Sequence, residues 1–377
     1  MSTLPEIIRA EILHEGRITF RRFMELALYE PSGGYYSAGN AAIGRGGDYF
    51  TNVSVGPIYG RLLGQQFAEM WERLERPGEF VIVEQGANSG DFAHDALSGL
   101  RQSAPECFEA LRYHVVEPIS GLVTRQAERL AEFAAKVNWY PSLGALPPFT
   151  GIHFSNELLD AMPVHLVVNR GGQWMERYVT LEGGGNFAWS DEPFSTPKLT
   201  AYLRHLPPVE GYETEINLDA PEWVDSIAAK LQRGYVLAVD YGFARADFYQ
   251  PERIRGTLTC YRQHQRSTEP LVNPGGQDIT AHVEFTTLAE RGEMVGLTVA
   301  GFTDQHHFMA GLAKYAFPDA TEIPSPSRQR ELRALATLMH PTTMGRSFQF
   351  FTLAKDAPTA LRGYEFGGNP RTALGLT

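Results

Sequence analysis

Residues 80–90 read Phe-Val-Ile-Val-Glu-Gln-Gly-Ala-Asn-Ser-Gly, an apolar run that ends on an acidic residue and turns through two glycines. The run Phe80 to Val83 is unbroken, as a strand buried on both faces of a parallel sheet requires. Gly86 and Gly90 permit a sharp turn and a close approach of backbone to ligand. Ser89 or Asp91 is placed to cap a helix over Phe92 to Leu100. The spacing is neither the GxGxxG of a dinucleotide fingerprint nor the GxxxxGK of a phosphate loop. With Glu84 ahead of it and no lysine inside, the loop suits a cofactor bearing an amine and a ribose, such as S-adenosylmethionine. A plain strand-to-helix turn would show the same pattern.

Further strands support an α/β sheet. Tyr113 to Val116 is a second strand ending in Glu117-Pro118. An acidic residue there holds ribose hydroxyls in doubly wound folds, although a carboxylate starting the helix Gly121 to Phe133 would look alike. Val137 to Tyr140, Ile152 to Ser155 and Val236 to Asp240 are predicted as the third, fourth and fifth strands. Ligands gather at the carboxyl ends of such strands, which groups the loops after residues 83, 116, 140, 155 and 240.

The chain has 377 residues, enough to bury a large core, and 33 basic against 44 acidic residues give a net charge of −11. With no basic run or basic-aromatic patch, nucleic acid is not the expected substrate. The two cysteines, Cys107 and Cys260, fit no zinc spacing and suit a reducing compartment. No metal is expected: His306 and His307 are adjacent, so their side chains diverge. No GxSxG elbow is present. Without an apolar signal core or a bilayer-length apolar stretch, the expectation is a cytoplasmic protein that does not enter the membrane. The sequence carries no signal of oligomeric state.

Four regions are expected: a helical region over 1–79, the first half of the sheet over 80–160, an insertion of short strands over 161–233, and the rest of the sheet with a C-terminal excursion over 234–377. In the first region, helices over Pro5 to Leu13, Phe20 to Leu28 (capped by Thr19) and Pro57 to Leu74 flank a glycine- and tyrosine-rich stretch, Tyr29 to Asn52. That stretch reads either as a flap with glycine hinges or as a surface loop whose tyrosines pack on the helices. The tail from Gly363 is expected to be loose. Phe154 to Pro163 carries the densest chemistry, with Asn156, Glu157 and Asp160 at the end of the fourth strand. If a helical turn follows, Glu157 and Asp160 share a face and can hold and deprotonate an amine nucleophile. A helix start capped by Asn156 is the plainer reading.

Taken together, the blocks resemble one family. They include ITFRRFMELALYEPSGGYYS at 18–37, IGRGGDYFTN at 43–52, GPIYGRLLGQQFAEMWE at 56–72, VEQGANSGDFAHDAL at 83–97 and HVVEP at 114–118. SNELLDAMPV at 155–164, VDYG at 239–242, GTLTCYRQH at 256–264, PGGQDITAHVEFTTL at 274–288 and MGRSFQFFTLAK at 344–355 follow in order. This set is similar to the MidA-like S-adenosylmethionine-dependent methyltransferases, a group that includes the mitochondrial complex I assembly arginine methyltransferase.

The resemblance implies a class I methyltransferase fold, a Rossmann-like seven-stranded sheet with one antiparallel strand. It implies that Glu84, Gly86, Ala87, Asn88 and Gly90 line the methionine part of S-adenosylmethionine, that Glu117 holds the ribose, and that Ser142 and Leu143 flank the adenine. Asn156 and Glu157 would border the transferring methyl, and Gly34, Tyr35, Gly47, Asp48 and Thr51 would close over it. A guanidinium substrate would rest between Glu157 and Asp160 under Tyr35, Tyr49 or Tyr241, with Arg262, His264, Asp278 and His282 on the substrate side. Three positions depart from the family pattern: Gln85 for an apolar residue, Asn88 for glycine and Glu284 for aspartate. The implied partner is a protein substrate; a small-molecule methyl acceptor and a non-catalytic assembly factor are the alternatives.

Overall fold

A computed structural model describes residues 2–38, 51–262, 265–317 and 325–376. The chain divides into two compact units, each assembled from three segments. The smaller comprises Met1–Phe50, Leu159–Glu222 and Arg245–Val283; the larger comprises Thr51–Leu158, Trp223–Ala244 and Glu284–Thr377. These boundaries differ from the four regions read from the sequence, because tertiary packing regroups them. The helix Ile58–Arg73 buries Leu63, Phe67 and Met70 in the core of the sheet unit. Cys260 and Ile279 instead join the core formed by the N-terminal helices.

The larger unit holds α1 (Ile58–Arg73), β1 (Phe80–Gln85), α2 (Asp91–Ser103), β2 (Leu111–Val116), α3 (Ser120–Arg129), β3 (Val137–Tyr140), β4 (Phe149–Asn156), β5 (Leu231–Phe243), β6 (Thr298–Asp304), α4 (Gln305–Ala316), α5 (Pro326–Met339) and β7 (Phe348–Lys355). The sheet runs β6-β7-β5-β4-β1-β2-β3. β1 pairs in parallel with β2 and β4, and β4 pairs in parallel with β5. β7 is antiparallel to both β5 and β6. The first five of the six β1 residues are buried, which is why this strand is a continuous apolar run. Phe154 of β4 stacks on Phe92 of α2 at 4.4 Å and meets Phe67 of α1 edge-on at 5.6 Å. Gly151 and Gly234 lie opposite each other on β4 and β5. A Cβ on Gly151 would fall 1.9 Å from the Val81 carbonyl oxygen, so the three central strands require glycine there.

The tail from Gly363 is ordered, contrary to expectation. Leu374 is 1% exposed, and its carbonyl accepts the Thr286 hydroxyl at 2.8 Å. The Tyr364 and Thr352 hydroxyls are bonded at 2.6 Å. Asn369 caps the short helix Pro370–Ala373 through Oδ1. Apolar side chains at Leu361 and Leu374 anchor a segment that its terminal position alone suggested was loose.

In the smaller unit, helices Leu4–Glu15 and Phe20–Tyr29 form, and Thr19 Oγ1 caps the second by accepting from Arg22 N at 3.1 Å. The insertion folds as antiparallel strands His165–Arg170, Gln173–Glu182, Asn186–Glu192 and Glu213–Ile216, turning at Gly171-Gly172 and at 183–185 as the glycines predict. A second sheet pairs Thr259–Arg262 with Gln265–Ser267 and with Asp278–Thr280. Asp278–Thr280 are strand residues, and the next helix is Phe285–Met294 with Glu284 as its N-cap. The buried Glu215 joins the insertion to the 245–283 segment by accepting the Thr257 and Leu258 amides at 2.8 and 2.7 Å.

Candidate active site

At the carboxyl end of β1, Glu84 is buried and accepts the Tyr113 hydroxyl at 2.8 Å. Burial pushes its carboxyl up to about 7, against the pull of that hydrogen bond. The loop that follows turns through three left-handed residues: Gly86 (φ +80°), Asn88 (φ +46°) and Gly90 (φ +84°). Asparagine is one of the few side chains that tolerates this region, which accounts for Asn88 in place of glycine. Gly90, and neither Ser89 nor Asp91, occupies the N-cap of α2. Ser89 donates instead to Asp91 Oδ2 at 2.7 Å, and Arg129 Nε donates to Asp91 Oδ1 at 2.6 Å. Gln85, the other departure, accepts the Trp223 indole N–H at 3.0 Å and bonds the buried His153 at 3.2 Å. Burial drives His153 down to about 3, so it donates as a neutral ring. Glu284 is used as a cap, accepting Thr287 N at 3.1 Å.

Past β2, Glu117 is buried. Its Oε1 accepts Ile119 N at 2.9 Å, so it does serve the start of α3, and its Oε2 accepts Gln126 Nε2 at 3.1 Å. Burial raises its carboxyl, and those two hydrogen bonds work against the rise. Gln126 also donates to the Asn88 carbonyl at 2.8 Å and accepts the Trp139 indole N–H at 3.0 Å. In the turn beyond β3, Ser142 is exposed and Leu143 half-buried.

No helix begins after β4, so the shared helical face expected for Glu157 and Asp160 does not form. Glu157 sits at φ +53° and donates its N–H to the Val239 carbonyl at 2.9 Å. Leu158 N is taken by Asp240 Oδ2 at 3.1 Å. These bonds to β5 replace the helical ones a cap would start. Asn156 Oδ1 accepts the Tyr59 hydroxyl at 2.6 Å, while its Nδ2 donates to Glu157 Oε1 at 2.9 Å and reaches Asn52 Oδ1 at 3.5 Å. Asn52 Nδ2 donates to Gln305 Oε1 at 3.0 Å, and Gln305 Nε2 to the Leu338 carbonyl at 2.8 Å. That carbonyl can only accept, so it fixes the orientation of the amides behind it. Burial lifts the Tyr59 hydroxyl well above its ordinary range and keeps it a donor. Thr51, beside this chain in sequence, is buried in a turn with Ser54. Tyr241 packs on Phe348 at 4.1 Å.

The remaining candidates belong to the smaller unit. Asp160 is buried there, and its carbonyl accepts Ala281 N at 2.9 Å. Tyr35 was expected in a flap; it is 1% exposed within the core of the N-terminal helices, its N–H donating to the Ala27 carbonyl at 3.0 Å. Gly34 lies where the chain folds back on its helix: a Cβ would meet Glu30 N at 2.5 Å. The loop-packing reading therefore holds for residues 29–38, because Tyr35 completes an apolar core. Tyr36 donates to Asp278 Oδ1 at 2.9 Å. His282 N donates to Thr257 Oγ1 at 2.9 Å, and burial, with Arg253 and Arg266 nearby, pushes its ring down to about 4. Arg262 is exposed at a strand end. Gly47, Asp48, Tyr49 and His264 lie outside the described residues. Among the described residues, no cluster of three or more His, Cys, Asp or Glu could hold a metal, and no helix is long and apolar enough to cross a membrane.

Gln126, Asn52 and Gln305 escape sequence reasoning. The one signal was an amide on the inward side of a helix: Gln126 shares its face with Val123 and Leu130.

Residues 62–303 match the family profile described as S-adenosyl-L-methionine-dependent methyltransferase. The chain belongs to this family. A solved structure from Burkholderia thailandensis bound to S-adenosyl-homocysteine is 33% identical, superposes with a TM-score of 0.89, and covers 98% of this chain and 96% of its own. The native structure of a protein from the same organism is 32% identical, with a TM-score of 0.87 and the same coverage. Curated relatives include the Drosophila melanogaster protein named protein arginine methyltransferase NDUFAF7 homolog, mitochondrial, 27% identical over 93% of this chain and 84% of its own length. The human protein arginine methyltransferase NDUFAF7, mitochondrial, is 26% identical over 91% of this chain and 81% of its length. This methyltransferase uses S-adenosylmethionine, and its α/β sheet matches the expected fold, with β7 as the antiparallel strand.

Proposed function

We propose that this methyltransferase acts on a protein, methylating an arginine side chain, and that Asn156 and Glu157 border the reacting centre. The observation that carries the reading is the Glu157 carboxylate, held by the Asn156 amide at the carboxyl end of β4. The names of the curated relatives supply the arginine.

The chemistry of the donor set fits the cofactor. Glu84 is a buried carboxylate whose one side-chain hydrogen bond among the described residues comes from Tyr113. A cationic amine beside it would supply the charge that burial leaves uncompensated. Glu117 retains lone pairs beyond its two bonds, as a ribose diol requires. Gly86, Ala87, Asn88 and Gly90 would carry the methionine part, and Ser142 and Leu143 would flank the adenine. When bound, S-adenosylmethionine supplies an electrophilic methyl on a sulfonium. Glu157 accepts guanidinium N–H bonds, and an Arg–carboxylate pair is planar and directional. It therefore fixes the attacking nitrogen and is placed to take the proton that nitrogen sheds. Alignment contributes most of the acceleration in such a displacement.

The test is to incubate purified protein with radiolabelled S-adenosylmethionine and lysate of source cells lacking it. We expect a discrete labelled protein band whose hydrolysate contains methylarginine, absent with Glu157→Ala. Label confined to small molecules, or an unchanged band with the variant, refutes the reading.

A further inference from the structure

We propose that Gln126 is a positioning residue for cofactor binding: a buried amide clasp that fixes the Glu117 carboxylate relative to the glycine loop, so that the ribose meets a pre-set acceptor. The proposal rests on the reading of Glu117 as the ribose ligand.

Gln126 is 0% exposed, a rare state for glutamine unless its amide is bonded. The indole N–H of Trp139 can only donate, so its 3.0 Å bond identifies the Gln126 oxygen. Nε2 then faces two groups that can only accept: the Asn88 carbonyl at 2.8 Å and Glu117 Oε2 at 3.1 Å. The amide has one permitted orientation. It links the loop after β1, the residue after β2, and β3, from a helix that belongs to none of them. Gly90 packs beside it, its glycine called for by the backbone φ of +84° and not by space: a Cβ there would rest 3.5 Å from Gln126 Cα, in ordinary contact.

Without the clasp, Glu117 keeps a single donor among the described residues, Ile119 N, about which its carboxylate can swing. The half-buried Asn88 carbonyl loses its side-chain partner, and the left-handed turn at Asn88 loses its tie to α3. Preorganisation of both groups is then no longer supplied by the fold and must be recovered at binding.

Ligand-binding calorimetry with S-adenosylhomocysteine and its 2′,3′-dideoxy analogue tests this on wild type, Gln126→Leu and Glu117→Ala. In wild type, removing the ribose hydroxyls should weaken binding. Gln126→Leu should bind S-adenosylhomocysteine at least about tenfold more weakly, as expected for loss of a hydrogen bond to a charged group. Its penalty for the dideoxy analogue should shrink below about threefold, a coupling that two independent defects would not produce. The Trp139 indole proton should also shift in the NMR spectrum of the free variant. If Gln126→Leu does not fold, Gln126→Glu, of the same shape, replaces it with the same expected loss of coupling. Retention of the full dideoxy penalty in either variant, while Glu117→Ala abolishes it, overturns the clasp and leaves the Glu117 reading intact. No penalty in wild type overturns both.

Discussion

Replacing Glu84 by glutamine should make the ligand-free protein more stable, by a margin that grows with pH. The carboxyl is buried and its value is raised from 4.5 to about 7 by that burial. A raised acid binds its proton more tightly in the folded than in the unfolded chain. The stability linked to that proton is complete below about 4.5 and is lost as the pH climbs to about 7. Each unit of the shift is worth about 1.4 kcal/mol. Wild type therefore forfeits roughly 1 kcal/mol by pH 5 and about 3 kcal/mol by pH 8. Glutamine has no proton to lose, and its oxygen still accepts from Tyr113. The assay is urea unfolding of both proteins between pH 5 and 8, taking the difference at each pH so that every other titrating group cancels. Parallel curves, with a constant margin, would refute the reasoning, because they would mean that Glu84 is ionised in the native state at no cost. The same substitution should weaken S-adenosylhomocysteine binding about tenfold or more if Glu84 meets the cofactor amine.

Tyr59→Phe leaves the Asn156 carbonyl oxygen without its donor and should cost about 1–3 kcal/mol in urea unfolding. It should also reduce methyl incorporation from labelled S-adenosylmethionine, since the amide that holds Glu157 can then rotate; full incorporation would show that this orientation is not needed. Gln305→Ala strands both Asn52 Nδ2 and the Leu338 carbonyl and should cost at least as much, about 1–3 kcal/mol, read as a lowered urea midpoint in the same assay. Gly151→Ala should yield no soluble folded protein, because its Cβ would lie 1.9 Å from a backbone oxygen that has nowhere to move. Recovery of native circular dichroism would contradict that placement.

The parts of this protein that were legible in the chain are those whose determinants are local. A strand covered on both faces must be an unbroken apolar run, so β1 and the 236–239 centre of β5 could be read directly. Thr19 caps its helix from three residues away, and paired glycines mark the hairpin turns. Ordered blocks of residues pointed to the methyltransferase family, and through it to the cofactor. The misreadings fall where a residue answers to distant partners. Asn156-Glu157 has the letters of a helix start, but Asp240, 82 residues away from Leu158, takes the amide that would have turned it. Tyr35 suits a flap until a core of helices closes round it. The tail is held by Thr286, 88 residues from the carbonyl it bonds.

The same distinction separates the two halves of the site. The sequence by itself determined which groups are present: the carboxylates Glu84, Glu117 and Glu157 after strands, and the glycines that turn between them. Only the tertiary structure decided the protonation of Glu84 and Glu117 and the orientation and support of all three, because burial and bonds to Tyr113, Gln126, Tyr59, Asn52 and Gln305 set those, and the Asn52–Gln305 pair alone spans 253 residues of chain. A hydrogen bond is decided by a few tenths of an ångström in space, and no local pattern of residues encodes that distance.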